Sequence, residues 1–145
     1  MDKIIINSGL NSFNLLDSII SIDHNTIHTT KTFLNAPFYL AIEAMAQTGA
    51  MHVRFIKDLK QHAFLLTIKK FLFPSEINLL NGIYSFNGEL QNQSDLAFFY
   101  FLKGISETGL EITGEFIFAT TDYDSFFKKE LLEQHYKNIF RRNLQ

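Results

Sequence analysis

The chain has 145 residues, 46% of them hydrophobic, and its 13 basic and 15 acidic side chains leave a formal net charge of −2. This length supports one cooperative core and is too short for two ordinary domains, and the near balance of charge excludes a whole-molecule field that would attract nucleic acid or an anionic membrane. The absence of cysteine excludes disulfide frameworks, thiolate metal sites and cysteine nucleophiles. Without a long apolar run or a signal-like N-terminus, the sequence predicts a cytoplasmic domain with no membrane span, and no motif in it indicates a metal or a cofactor.

The first predicted element is a β-hairpin. Runs rich in β-branched residues at 19–22 and 27–33 are separated by Asp23, His24 and Asn25, a cluster typical of a tight turn.

A long helix is predicted from Pro37 to about Lys60, because proline is tolerated in a first helical turn and glycine interrupts this stretch only once. One broad apolar face repeats at helical spacing and must be buried. Its members are Phe38, Ala41, Ile42, Met45, Gly49, His52, Ile56 and Leu59. Four polar residues form a stripe on the opposite side: Glu43, Gln47, Arg54 and Lys57.

Four extended stretches follow, at 64–73, 82–90, 96–105 and 110–120, and predict a four-stranded meander. A turn at Glu107, Thr108 and Gly109 joins the last two. The residues at 96–102 are apolar on both faces, which favours a strand covered by the helix on one side and by a partner or a second helix on the other, unless the core is simply dense. A basic segment at 124–142 returns to helical spacing. The element order gives an α+β domain in which the sheet covers the helix.

The string Ala-Pro-Phe-Tyr-Leu-Ala-Ile-Glu-Ala-Met-Ala-Gln at 36–47 resembles the central-helix motif of the bacterial 3-hydroxyacyl-ACP dehydratases, in which a proline opens the helix and Glu-Ala-Leu/Met-Ala-Gln follows. The segments at 15–17 and 64–74 are similar to the flanking parts of that family, and divergent dehydratase-like proteins of aryl-polyene pathways share the pattern. The resemblance covers about 11–121. It implies one hotdog domain over 1–145, a central helix wrapped by a curved antiparallel sheet, with the 124–142 helix as an addition.

The resemblance also implies a site. Dehydration of a 3-hydroxyacyl thioester needs a base, an acid and a hydrogen-bond donor to the thioester carbonyl. In the family a glutamate at the position of Glu43 positions the hydroxyl, the helix start near Pro37 directs amides at the carbonyl, and a histidine in a His-Phe-Pro loop is the base. Where that histidine is expected, this chain has Thr29, with His28 beside it. The catalytic loop is missing, which leaves His28 as the candidate partner of Glu43.

Each candidate also has an ordinary interpretation. Glu43 either belongs to a solvated polar stripe or is a carboxyl in an apolar tunnel flanked by Tyr39, Leu40, Ala44 and Ala46. The candidate substrate-binding residues are Pro37, Tyr39, Leu40, Ala46 and Gln47. His28 is either a strand residue of no special role or catalytic. His52, on the apolar helix face, is predicted to be a hydrogen-bonded core histidine.

Three functions stay open at this point. The first is a dehydratase or another thioester-processing enzyme that acts on an acyl chain carried by ACP or CoA, in fatty-acid or polyene-type biosynthesis. The second is a non-catalytic acyl-binding or partner subunit that kept the fold. The third is a thioesterase, in which a helix carboxylate needs no histidine. A homodimer is expected, and the basic 124–142 segment is either a solvated helix face or a docking surface for an acidic carrier protein.

Overall fold

The structure, a computed structural model, describes residues 4–5, 16–75 and 78–122, and for residues 4 and 5 it gives the backbone strand alone. The predicted helix at 124–142 and the start of the predicted core at 11–15 lie outside the described residues. The described elements are β1 Ile4–Ile5, β2 Ser18–Ile22, β3 Thr26–Pro37, α1 Tyr39–Ile56, β4 His62–Leu72, β5 Leu79–Gln93, β6 Ala97–Ser106 and β7 Glu111–Thr121.

The strands form one seven-stranded antiparallel sheet in the order β1-β2-β3-β5-β6-β7-β4. The predicted four-stranded meander is wrong in one respect, because β4 pairs with β7 and not with β5. After the helix crosses the sheet, the chain re-enters at the far edge, where Leu65 pairs with Phe118. Strand β6 is therefore interior, and β4 is an edge of the described sheet.

The predicted hairpin turn is confirmed between β2 and β3. The Asp23 carboxylate accepts hydrogen bonds from the backbone amides of Asn25 and Thr26, each at 2.8 Å. These two bonds hold the pKa of Asp23 below its usual value. The turn between β6 and β7 is also where the sequence places it, with Gly109 at φ +89°.

The helix begins later and ends earlier than predicted. Pro37 is the last residue of β3, paired with Leu79, and Phe38 occupies the N-cap position. The helix ends at Ile56, after which Asp58 and Leu59 have left-handed backbone conformations at φ 54° and 62°. Such residues stop a right-handed helix, so the helix cannot continue to Lys60.

The predicted apolar face of the helix packs on the sheet. Ala41, Met45, Gly49 and His52 are buried, as expected, whereas Phe38, Ile42 and Ile56 are only half-buried. A Cβ atom added to Gly49 would overlap the Phe118 ring of β7. The helix backbone therefore lies directly against β7 at this point.

One member of the predicted polar stripe is buried instead. Arg54 lies within the core, where its Nη2 donates a hydrogen bond to the Ala63 carbonyl at 3.1 Å. Because β4 begins beside the end of the helix, the guanidinium reaches a strand carbonyl there instead of solvent.

Strand β6 is apolar on both of its faces, as its sequence indicates. Phe98 and Tyr100 point at the helix and are buried, while Phe99 and Phe101 are half-buried on the opposite face. The expected homodimer rested in part on the apolar surface of 96–102, which is too large for a solvated edge strand; β6 is not an edge strand, since β5 and β7 flank it.

Edge strand β4 is irregular. Its pairing with β7 shifts register between Leu65 and Thr67 and again between Lys69 and Leu72, and Lys70 has φ 48°. These are the marks of β-bulges, which bend a strand locally. Among the described residues, no helix is long and apolar enough to cross a membrane.

Candidate functional site

The first turns of the helix carry most of the candidate residues on one face. Tyr39 and Glu43 are exposed, and Leu40, Ala46 and Gln47 are half-buried. Their spacing places them on the side of the helix opposite the one that packs on the sheet. Pro37 is exposed at the end of β3, just before this face begins. The predicted substrate-binding residues of the helix therefore share one face with Glu43, and Pro37 precedes them on β3.

The surroundings of Glu43 in a single chain are more open than the tunnel interpretation requires. Ala44, expected to line that tunnel, points into the core and is fully buried, and the Tyr39 side chain is 61% exposed. A closed apolar pocket around the carboxylate would need a further surface to cover this face.

The start of the helix is uncapped within the described residues. Phe38, at the N-cap position, gives no side-chain hydrogen bond, and the first turn has no acidic residue. Free backbone amides and the positive end of the helix dipole at such a terminus favour a carbonyl oxygen or an anion. The chemistry that the site offers is therefore a hydrogen-bond donor group at the helix start and a carboxylate one turn further along.

His28 faces the other side of the sheet from the helix. Its neighbour Thr29 points at the helix, where its hydroxyl lies 2.8 Å from the Thr48 hydroxyl, and successive strand residues alternate faces. The structure does not bring His28 and Glu43 together within one chain. A catalytic pairing of the two residues would need two chains.

The environment of His28 is nevertheless unusual. Its Nε2 atom is buried and has no hydrogen-bond partner among the described residues. Burial lowers the pKa of the ring, so it is neutral at neutral pH.

An aromatic cluster beside the helix start is a feature that the sequence analysis missed. The Phe38 ring centroid lies 4.8 Å from that of Phe73 and 6.2 Å from that of Phe71. Phe73 is half exposed and lines an open cavity of about 560 Å³. The remaining lining residues are Leu72, Pro74, Gly109, Leu110, Glu111 and Thr113. The Phe-Leu-Phe-Pro string at 71–74 is the signal that could have pointed to this apolar surface.

Side chains suited to a metal ion do not converge in the described part of the chain, where no group of three or more histidine, aspartate or glutamate residues occurs. The candidate site is thus built from helix amides, one carboxylate and apolar side chains.

Comparison with known proteins addresses the fold. No protein-family model and no curated protein matches the sequence. The dehydratase heterocomplex ApeI:P from Xenorhabdus doucetiae has a TM-score of 0.62 at 18% identity, over 81% of this chain and 88% of that one. A thioesterase from Haemophilus influenzae has a TM-score of 0.60 at 10% identity, over 72% and 78% of the two chains. A mutant thioesterase from Pseudomonas aeruginosa has a TM-score of 0.61 at 11% identity, over 73% and 81%.

The chain has the hotdog fold. The predicted helix wrapped by an antiparallel sheet is confirmed at this level. At these identities the likeness establishes the architecture, and the specific dehydratase family stays a prediction.

Proposed function

We propose that this hotdog protein binds and processes an acyl thioester carried by ACP or CoA, in fatty-acid or polyene-type biosynthesis. The observation that carries the proposal is the position of Glu43, one turn inside an uncapped helix start and on the same face as Tyr39 and Gln47. The neighbours in fold include proteins described as thioesterases and as a dehydratase, which supports thioester chemistry in general.

Each part of the site has a role in this proposal. The amides at the helix start donate hydrogen bonds to the thioester carbonyl oxygen and stabilise the negative charge that develops on it. Leu40 and Ala46 contact the acyl chain or the pantetheine arm. In dehydration, the protonated Glu43 carboxyl group gives its proton to the departing hydroxyl, which leaves as water. In hydrolysis, the Glu43 carboxylate takes a proton from the water that attacks the thioester carbonyl carbon, and passes it to the thiol that leaves.

Dehydration requires a base besides the acid, and His28 faces the far side of the sheet from the helix. A dehydratase function therefore requires a histidine contributed by another chain. Hydrolysis of the thioester needs only an activated water, so the geometry of a single chain favours a thioesterase as the second candidate.

The test compares the two reactions in one set of variants. The parent, Glu43→Gln and His28→Ala are assayed for hydration of a crotonyl thioester and for hydrolysis of acyl-CoA and acyl-ACP, with Glu89→Gln as the control for loss of an exposed carboxylate on β5. We expect Glu43→Gln to lose about 10²-fold or more of whichever activity the parent has, because a positioned acid or base contributes about 10² to 10⁴. Glu89→Gln should match the parent.

The outcomes separate the hypotheses. Hydration that is lost in both Glu43→Gln and His28→Ala indicates a dehydratase assembled from two chains, and hydrolysis that is lost only in Glu43→Gln indicates a thioesterase. Saturable acyl-ACP binding without turnover, blocked by Ala46→Trp, indicates a non-catalytic acyl-binding subunit. If the parent shows no turnover and no binding, the proposal is contradicted and Glu43 is only a surface residue.

We also propose a homodimer formed through edge strand β4. This strand is 11 residues long, and one of its sides has no strand partner in the described sheet. Phe64 and Leu66 are 38% and 55% exposed there. A long apolar edge of this kind favours pairing with another strand. Antiparallel pairing of two copies centred near Leu66 aligns their apolar residues and keeps Lys69 and Lys70 of the two chains apart.

Sedimentation at micromolar concentration tests this assembly. We expect the parent and Leu34→Lys to be dimers, because Leu34 is 84% exposed but lies on β3, away from the edge. Leu66→Lys should be a folded monomer, since it places a charge at the centre of the pairing. A monomeric parent, or a Leu66→Lys variant that stays dimeric, would contradict assembly through β4.

A further inference from the structure

The strongest feature outside the candidate site is a buried histidine that joins three parts of the fold. His52, in the second half of the helix, is fully buried. Its Nε2 lies 2.7 Å from the Asp23 carbonyl oxygen in the β2–β3 turn, and its Nδ1 lies 2.5 Å from the Tyr100 hydroxyl on β6. One imidazole ring therefore fixes the turn, the helix and the centre of the sheet relative to one another.

The hydrogen-bond partners determine the protonation state of this ring. A carbonyl oxygen can only accept, so Nε2 carries the hydrogen and donates it to Asp23. The remaining nitrogen, Nδ1, then accepts a hydrogen bond from the Tyr100 hydroxyl. All the polar atoms are satisfied when His52 is neutral and in this single tautomer.

A second proton on His52 has no favourable place in this arrangement. It would bind at Nδ1, so the Tyr100 hydroxyl, which is itself fully buried, would have to rotate and accept, and its own hydrogen would lose the acceptor that Nδ1 provides. Tyr100 cannot compensate by ionising, because burial raises the pKa of its hydroxyl far above the usual range.

The charged and titratable groups around the ring offset the added charge only in part. The Asp23 carboxylate is exposed and already accepts hydrogen bonds from the amides of Asn25 and Thr26. The Asp23 group that contacts His52 is the backbone carbonyl. His24, on the same turn, would add a second positive charge when protonated. Burial of an imidazolium without an ion-pair partner is costly, and separation of the packed surfaces relieves that cost.

We propose that His52 is an acid-sensitive latch, and that uptake of a second proton by its ring releases the β2–β3 turn from the helix and from β6. The release extends to β5, because the Asn25 carbonyl in the turn accepts a hydrogen bond of 2.9 Å from the Leu90 amide. The helix start with Glu43 lies at the opposite end of the helix, so the first region to open is remote from the proposed thioester site.

The direction of the pH dependence follows from the chemistry. Burial lowers the pKa of His52 below the value of about 6.5 that it has in an unfolded chain, and the Asp23 carbonyl and carboxylate offset part of this shift. Below pH 6.5 the open or unfolded forms bind more protons than the closed form, so closure weakens as the pH falls. Above pH 6.5 the neutral His52 ring contributes its full stabilisation to the closed form. The lowered pKa of Asp23 makes stability depend on pH in a separate range, below the carboxyl group's ordinary pKa of 3.8.

The experiment follows the latch residue by residue with NMR between pH 7.5 and pH 5. Carbon-labelled histidine rings report the protonation of His52, and backbone amides report opening through hydrogen exchange, corrected for the intrinsic dependence of exchange on pH. We expect a neutral ring with its hydrogen on Nε2 at pH 7.5. On acidification, opening at the amides of Thr26 and Leu90 should increase several-fold, together with protonation of the ring.

Two variants separate the latch from other histidines. The His52→Gln amide can keep both hydrogen bonds but cannot take up a proton, so opening of the turn should become independent of pH in this range. His28→Gln removes the other histidine whose pKa burial lowers, and it should keep the acid response of the parent.

The proposal is overturned if the His52 ring becomes protonated while the turn amides stay protected, or if His52→Gln retains the acid response. Should His52→Gln fail to fold, the parent alone decides the matter, because ring protonation and opening must then occur over the same pH range.

Discussion

The two faces of α1 differ in what determines their residues. On the face toward the sheet, Met45, Thr48 and Gly49 are fully buried or in direct contact with the strands, and little room exists for other side chains. On the face away from the sheet, Tyr39 and Glu43 are exposed. The first face is determined by packing, whereas the described fold does not require any particular residue on the second. A carboxylate at Glu43 is therefore free to serve chemistry without a cost to folding.

The largest difference in stability should appear when a charge is placed on each face in turn. Met45→Asp buries a carboxylate among apolar side chains and should destabilise the protein by about 3 to 5 kcal/mol or prevent folding. Gln47→Asp, two residues further along on the other face, should change the free energy of unfolding by about 0.5 kcal/mol or less. Urea unfolding of the two variants measures the contrast. Equal stabilities would mean that the helix does not have distinct buried and open faces.

A smaller effect should come from a pair of hydroxyls that joins the helix to β3. The Thr48 hydroxyl donates to the Ala44 carbonyl at 2.8 Å and accepts from the Thr29 hydroxyl. Thr48→Val leaves the buried Thr29 hydroxyl without its acceptor and should cost about 1 to 2 kcal/mol.

The double variant Thr29→Val with Thr48→Val provides the check on this explanation. Because it removes both polar groups at once, its loss of stability should be smaller than the sum of the two single losses. Strict additivity in urea unfolding would show that the two hydroxyls do not interact in solution.

Elements determined by local chemistry could be predicted from the sequence. The Asp23 side chain makes the hairpin turn by itself, and Gly109 supplies the backbone conformation of the last turn. The burial of the helix face followed from its period, and His52 is a hydrogen-bonded core residue as predicted. The turns and the helix face are determined by residues that lie close together along the chain, and the burial of His52 follows from its position on that face.

Features that depend on distant partners could not be predicted in the same way. The position of β4 beside β7 depends on where the helix ends relative to the sheet. The burial of Arg54 depends in turn on β4, because the guanidinium donates a hydrogen bond to the Ala63 carbonyl of that strand. For the candidate site, the open face around Glu43 followed from the helical period, but the separation of Glu43 from His28 depends on the facing of β3. The aromatic contact between Phe38 and Phe73 joins residues that are far apart along the chain, so no periodic pattern in the sequence indicates it.

The bulges of β4 limit how far an assembly can grow. A straight, apolar strand edge is a template on which further copies can add without end, which is how fibrils begin. The left-handed conformation at Lys70 and the shift in register beside it bend β4 near its end, and the adjacent Lys69 and Lys70 bring positive charge to the edge. The template is thus short and partly charged, which suits one finite pairing and opposes stacking of sheets into a filament.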